Sequence, residues 1–186
     1  LLVLVVTAPA FIFFSQKGPG AMHAPWLISL AAGLVVGGLS QFSRLCTVGG
    51  FRDLFLFKKS ILIFGYLAVL VGVFVVNISF GNFHLGFENQ PIAHTDGLWN
   101  FLGMALAGFC SVLLGGCPLR QLIMTGEGNS DSAVTVLGLA AGAAFAHNFG
   151  LAASGAGPTL NGQIAVGVGF VVALIIAVLN TKRSNA

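Results

Sequence analysis

The sequence has 186 residues, of which 56% are hydrophobic and 7% are charged, and its formal net charge is +3. Soluble domains carry roughly a quarter charged residues, so this composition indicates an integral membrane protein and excludes an ordinary soluble one. No basic run or polar domain is present that could bind nucleic acid. The 3 cysteines form no CxxC pair, and their odd number argues against a disulfide framework.

Apolar segments recur along the whole chain and predict an all-α membrane protein with about six transmembrane helices. They cover residues 1–14, 26–45, 60–80, 98–114, 132–150 and 163–179. The first segment is shorter than the ~20 residues that a span requires, so we expect it to be a truncated helix. We expect residues 1–186 to form a single membrane domain, the C-terminal part of a longer transporter.

Basic residues alternate between the loops, which predicts the orientation of the chain. They follow the second, fourth and sixth segments, at Arg44, Arg52, Lys58, Lys59, Arg120, Lys182 and Arg183. The loops at residues 81–97 and 151–162 contain no lysine or arginine, and Lys17 is the exception to the alternation. The positive-inside rule therefore predicts a cytoplasmic C-terminus, with both cysteine motifs on the same side.

A weak internal repeat relates residues 26–80 to residues 98–150. One ungapped alignment places Cys46 on Cys117 and Asn77 on Asn148, with the surrounding segments superposed. Both units run the same way across the membrane, so this predicts a parallel repeat, in which a substrate site lies at the interface between the units.

The stretch GGCPLRQLIMTGEGNSD, residues 115–131, follows the fourth segment and contains the second cysteine of the repeat. Its paired glycines predict the end of one helix, and Pro118 suits the first turn of a new short helix over residues 118–125. Such a half-helix is too short to span and is predicted to be re-entrant or interfacial. Its N-terminus favours anions, with Cys117 at the mouth and Arg120 adding donors.

The stretch SRLCTVGGFRD, residues 43–53, is a looser copy of that motif. Gly49-Gly50 predicts a break after Cys46, and residues 51–57 predict a second half-helix with Arg52 near its start. Together the two stretches predict a cationic, thiol-lined site for a small sulfur- or selenium-containing anion. Its predicted residues are Cys46, Cys117, Cys110, Arg52, Arg120 and Arg44.

Simpler interpretations of these residues stay open. A cysteine in a membrane helix is often a small apolar filler, above all Cys110 inside the fourth segment. The arginines also suit plain cytoplasmic anchors. His84, His94, Glu88 and Asp96 are spaced too irregularly for a metal site, and a solvated loop is the better interpretation. We predict no metal and no cofactor.

At the two cysteine motifs the sequence resembles the YeeE/YedE family of bacterial inner-membrane sulfur-compound transporters. Residues 115–120 (GGCPLR) with 126–128 (GEG), and residues 43–53, carry the likeness, which runs from about residue 26 to the C-terminus. The motif at residues 43–53, with its Phe-Arg-Asp ending, most resembles the YedE branch, associated with selenium transport. The resemblance implies uptake of thiosulfate or a related anion, handed inward by Cys46 and Cys117, with Cys110 matching less closely. It also implies a further cysteine-containing repeat upstream and a small cytoplasmic sulfur-carrier protein as acceptor.

Two other functions compete with transport. A membrane thiol oxidoreductase or sulfurtransferase subunit requires redox-active cysteines, and the lack of a CxxC pair counts against it. A purely structural subunit has no use for broken helices at cysteines. The sequence also lacks the GxxxxGK[ST] motif of an ATP-binding loop. We therefore expect a transporter that is not an enzyme.

Overall fold

The computed structural model describes residues 24–86 and 94–184, with side chains up to residue 181. The described chain is helical and contains no strand. Its helices are α1 (Trp26–Ser43), α2 (Thr47–Phe57), α3 (Ile61–Ser79), α4 (Gly97–Leu113), α5 (Pro118–Gly126), α6 (Ser130–Asn148) and α7 (Leu160–Ser184). The predicted all-α class is confirmed. The predicted span at residues 1–14, and Glu88 in the following loop, lie outside the described residues.

The chain divides into two compact units, and the boundary falls directly after α1. The first unit ends at Ser43, and the second, Arg44–Ala186, contains all the other helices. Within the second unit α2 packs on α3, α5 packs on α6, α4 packs on α7, and α2 also touches α4. Cys46 and Cys117, with the short helices that follow them, therefore lie in the same unit.

Four helical stretches in the described residues are long and apolar enough to cross a membrane. Two of these stretches each combine a long helix with the short helix after it: Trp26–Phe57 (α1 and α2) and Gly97–Gly126 (α4 and α5). The other two are Ile61–Ser79 and Leu160–Thr181. Helix α6 has 19 residues but is rich in glycine and alanine and falls outside this set. The protein is thus a multi-pass membrane protein, and the count of six spans stays a prediction.

Two helices are much shorter than the others, as the sequence predicts. Helix α2 has 11 residues and α5 has 9 residues. At about 1.5 Å per residue, α5 rises only about 14 Å, half of the hydrocarbon thickness of a bilayer. A long helix, a short helix and a second long helix follow one another in α1, α2 and α3. The same order recurs in α4, α5 and α6.

The buried side chains are small, polar or sulfur-containing, whereas the large apolar ones face outward. The buried set consists of Ser40, Cys46, Ser111, Cys117, Gln121, Ser132 and Ala173. Phe42 is 90% exposed and Ile61 is 81% exposed. A soluble protein would reverse this arrangement, so the distribution suits helices whose outer surface is solvated by lipid.

Glycine ends α4 just before the second cysteine motif. Gly115 has φ +75°, a left-handed conformation that costs other residues about 1–2 kcal/mol. The Gly115 N–H donates to the Val112 carbonyl at 3.1 Å and the Gly116 N–H to the Ser111 carbonyl at 3.0 Å. These two bonds form a Schellman motif, which satisfies the last carbonyls of α4 and redirects the chain toward α5.

The predicted break at Gly49-Gly50 is wrong, because both glycines lie inside α2. Helix α2 begins at Thr47 instead, where the Cys46 sulfur accepts a hydrogen bond from the Gly49 N–H at 3.3 Å. A Cβ on Gly50 would lie 3.5 Å from the Ile63 nitrogen of α3. Gly50 therefore lies on the face of α2 that packs against α3, where an added Cβ would be in van der Waals contact, and neither glycine interrupts the helix.

We predict that Gly115→Ala lowers the thermal stability of the detergent-solubilised protein, by about 1–2 kcal/mol, because alanine disfavours the left-handed conformation. Gly103→Ala is the matched control: this glycine lies inside α4, and nothing approaches its Cβ position within 4 Å. Thermal unfolding measures both variants. Equal melting temperatures for Gly115→Ala and the unmodified protein would contradict this description of the turn.

Candidate functional site

The two cysteines of the repeat occupy equivalent positions in their motifs. Cys46 is the N-cap of α2, with φ −149° and ψ 118°, and Cys117 is the N-cap of α5, with φ −69° and ψ 162°. Both backbones are extended; at Cys117 this follows from Pro118, which disfavours helix in the preceding residue. Each thiol therefore lies at the N-terminal end of a short helix, where free N–H groups concentrate partial positive charge.

The structure brings the two thiols together. The polar neighbours of the Cys117 sulfur are the Cys46 side chain and the backbone N–H groups of Thr47, Leu119 and Arg120. Thr47 is the first residue of α2, whereas Leu119 and Arg120 belong to α5. Cys117 makes no capping hydrogen bond of regular geometry to its own helix. Its sulfur instead lies where the N-termini of both short helices meet.

An open cavity of about 660 Å³ lies beside this thiol pair. Its charged lining consists of three guanidinium groups and one carboxylate: Arg44, Arg52, Arg120 and Asp53. Cys46 also lines the cavity, together with apolar side chains such as Phe51, Phe55, Leu62 and Val112. The excess of positive charge favours an anion in this space.

Carboxylates hold two of the three arginines. The Nε and Nη2 atoms of Arg52 donate to Asp53 Oδ1 at 3.0 and 2.9 Å. Arg120 Nη1 lies 3.7 Å from Oε1 of Glu127, the residue that caps the C-terminus of the same short helix. Arg44 lines the cavity from a left-handed backbone position, with φ 50°. These pairs fix the direction of the guanidinium groups and also neutralise part of their charge.

A buried glutamine braces the second motif. Gln121 is 4% exposed, and its Nε2 donates to the Leu114 carbonyl at 2.9 Å. This bond joins the first turns of α5 to the end of α4 across the intervening Gly-Gly-Cys-Pro segment. It therefore holds Cys117 in place. The sequence analysis missed Gln121, although a polar residue on the helix that follows Cys117 is the available signal.

The cavity lining includes four of the six predicted site residues, Cys46, Arg44, Arg52 and Arg120. Cys117 is not in the lining; it is 7% exposed, and the Cys46 side chain is one of its neighbours. Cys110 is half-buried on α4, and the lining includes Gly108 and Val112 from that helix but not Cys110. The role of Cys110 stays a prediction.

A second, smaller cavity lies at the N-terminal ends of α4 and α7. It has about 320 Å³ and is lined by His94, Asp96, Gln163 and the turn Gly155–Pro158. Asp96 caps α4 by accepting a hydrogen bond from the Trp99 N–H at 3.4 Å. In the part of the chain that the structure describes, no group of three or more His, Cys, Asp or Glu residues is placed to hold a metal.

Comparison with known proteins identifies a family and a relative of this chain. The family described as "Sulphur transport" matches residues 42–183 of this chain. The thiosulfate transporter TsuA of Escherichia coli (strain K12) is 29% identical over 111 residues, which are 58% of this chain and 30% of that protein. The match thus spans less than a third of the relative's length. Among solved structures there is no significant match.

We predict that Gln121→Leu increases the rate at which Cys117 reacts with a small maleimide. The substitution leaves the Leu114 carbonyl without its donor, at a cost of about 1–3 kcal/mol, and loosens the segment that contains Cys117. Gln163→Leu is the matched control, because that glutamine lines the other cavity. Mass spectrometry of the labelled peptide measures the rate. An unchanged rate with a stable fold would show that Gln121 does not position the thiol.

Proposed function

This chain belongs to the sulphur transport family, the YeeE/YedE family of sulfur-compound transporters, and we propose that it moves a small sulfur anion such as thiosulfate across the membrane. The observation that carries the proposal is the pair of thiols at the meeting point of two short-helix N-termini, beside a cavity with three arginines. The similarity to a thiosulfate transporter supports this cargo.

The arginines have the first role in this proposal. Arg44, Arg52 and Arg120 attract a divalent anion from water, because several like charges around a concave surface raise the local anion concentration. The guanidinium fork also matches the geometry of an oxyanion. Selectivity then arises beyond the arginines, since sulfate carries the same charge.

The thiols have the second role. A thiol donates one weak hydrogen bond and is polarizable, so it suits the terminal sulfur of thiosulfate better than a hard oxyanion. Cys46 binds the anion first, in the cavity. The anion then passes to Cys117, where the N–H groups of Thr47, Leu119 and Arg120 also donate hydrogen bonds to it. These contacts replace the hydration of the anion one at a time, so no charged side chain of the protein needs to move through the bilayer.

The remaining assignments follow from the sequence and the family. We propose that the protein lies in a bacterial inner membrane with its C-terminus in the cytoplasm. The order long, short, long in α1–α3 and α4–α6 supports two parallel repeat units. A small cytoplasmic sulfur-carrier protein is the proposed acceptor. Selenium-containing anions of the same charge are the alternative cargo, and translocation, not enzymatic turnover, is the proposed activity.

We predict that Cys117→Ala abolishes uptake of radiolabelled thiosulfate by transporter-deficient cells that express the full-length protein. The anion loses its contact at the point where both short helices meet. Met104→Ala is the control, because that sulfur-containing side chain is 74% exposed on the outer surface of α4. Uptake by Cys117→Ala at the unmodified rate, at equal expression, would refute the role of the thiols.

We predict that Asp53→Asn lowers the apparent KM for thiosulfate. The carboxylate competes with the cargo for Arg52, at a distance of 2.9 Å. Exposed ion pairs contribute up to about 1 kcal/mol, so the gain reaches at most about fivefold. Lys59→Gln serves as a charge control outside the cavity lining. A higher KM for Asp53→Asn would mean that the aspartate assists binding of the anion.

A further inference from the structure

The thiols of Cys46 and Cys117 contact each other but differ in access. Cys46 lines the open cavity, whereas Cys117 is absent from its lining and has the Cys46 side chain as a neighbour. Both side chains are buried, at 9% and 7% exposure. A reagent that arrives through the cavity therefore meets Cys46 first, and Cys117 is the nearest nucleophile to any adduct formed there.

The Cys117 sulfur is buried, which disfavours negative charge, but backbone N–H donors face it. The N–H groups of Thr47, Leu119 and Arg120 face it, and they come from two different helix N-termini. The thiolate is the form that attacks sulfur–sulfur bonds, so the inner cysteine is the better placed of the two to complete an exchange.

The cavity also selects what can reach Cys46. Three arginines and one aspartate line it, which favours dianions over neutral or cationic reagents. A dianion with an internal sulfur–sulfur bond would satisfy the charge of the cavity and the chemistry of the thiols at once. Tetrathionate, in which two thiosulfate units are joined through sulfur, is such a dianion, and its reduction releases two ions of the proposed cargo.

We propose that Cys46 and Cys117 form a two-thiol site that reduces sulfur–sulfur-bonded oxyanions of the tetrathionate class, yielding a Cys46–Cys117 disulfide. The inference rests on the proposed function in one respect, because the anion released is the proposed cargo. The reaction takes place once per protein until a reductant restores the thiols.

The reaction consists of two successive thiol–disulfide exchange steps. The Cys46 thiolate attacks one central sulfur of tetrathionate, the central sulfur–sulfur bond breaks, and one thiosulfate leaves, with –S–SO3⁻ now attached to the Cys46 sulfur. The Cys117 thiolate then attacks the Cys46 sulfur, and the second thiosulfate leaves. Tetrathionate gains two electrons, the cysteines lose two, and the two thiol protons pass to water.

The experiment uses the full-length protein in detergent, reduced and freed of reductant without oxygen. One equivalent of tetrathionate is added, thiosulfate is measured by ion chromatography, and cross-linked peptides are identified by mass spectrometry. We expect two thiosulfate ions per protein and a cross-link between Cys46 and Cys117, while Cys110 remains open to alkylation. Dithiothreitol should reverse the cross-link.

Two variants separate the steps. Cys117→Ser should release half the thiosulfate of the unmodified protein and retain the –S–SO3⁻ adduct on Cys46. Cys46→Ser should lose the rapid release, since Cys117 does not line the cavity. Circular dichroism confirms that each variant is folded, and the cross-link in the unmodified protein decides the question if a variant fails to fold.

A full yield of thiosulfate from Cys117→Ser, or a cross-link that involves Cys110 instead, would overturn the inference. Because the reaction is measured in detergent, it is independent of transport. Absent uptake with an intact exchange reaction would refute the proposed function alone, and intact uptake without the cross-link would refute this inference alone.

Discussion

The convergence of two helix N-termini on one pair of sulfur atoms is the constraint on which the rest of this structure depends. In an apolar environment the free N–H groups at a helix start need partners, and water is scarce there. Here the first turns of α2 and α5 place N–H groups against Cys117, with Cys46 beside it. A thiol satisfies such donors weakly, so the position stays available to a stronger, anionic partner.

Uncharged groups hold the two cysteines in place. The left-handed Gly115 and the bond from Gln121 to the Leu114 carbonyl fix the segment before α5. Gly50 lies against α3, with its Cβ position 3.5 Å from the Ile63 nitrogen. The three arginines lie in the cavity lining, and carboxylates already hold two of them, Arg52 and Arg120. An incoming anion therefore exchanges with existing partners, which keeps its binding moderate and reversible, as transport requires.

Much of this site could be predicted from the sequence, because Pro118 and the glycines at positions 115 and 116 leave little freedom at the second motif. The prediction for the first motif was wrong, because paired glycines do not always interrupt a helix. Gly49 and Gly50 lie inside α2, and Gly50 faces α3. Contacts between distant segments carry no local signal, so the partners of Arg52, Arg120 and Leu114 emerged only from the structure. Residues 26–43 belong to a separate unit. Their place in the parallel repeat stays a prediction.

A structure of the full-length protein with bound thiosulfate, determined by cryo-electron microscopy, tests the central claim most directly. The account predicts density for the anion in the cavity beside Arg44, Arg52 and Arg120, with its terminal sulfur against Cys46 or Cys117. Density confined to the other cavity, around His94 and Gln163, would contradict it, because the thiol pair would then have no part in binding the cargo.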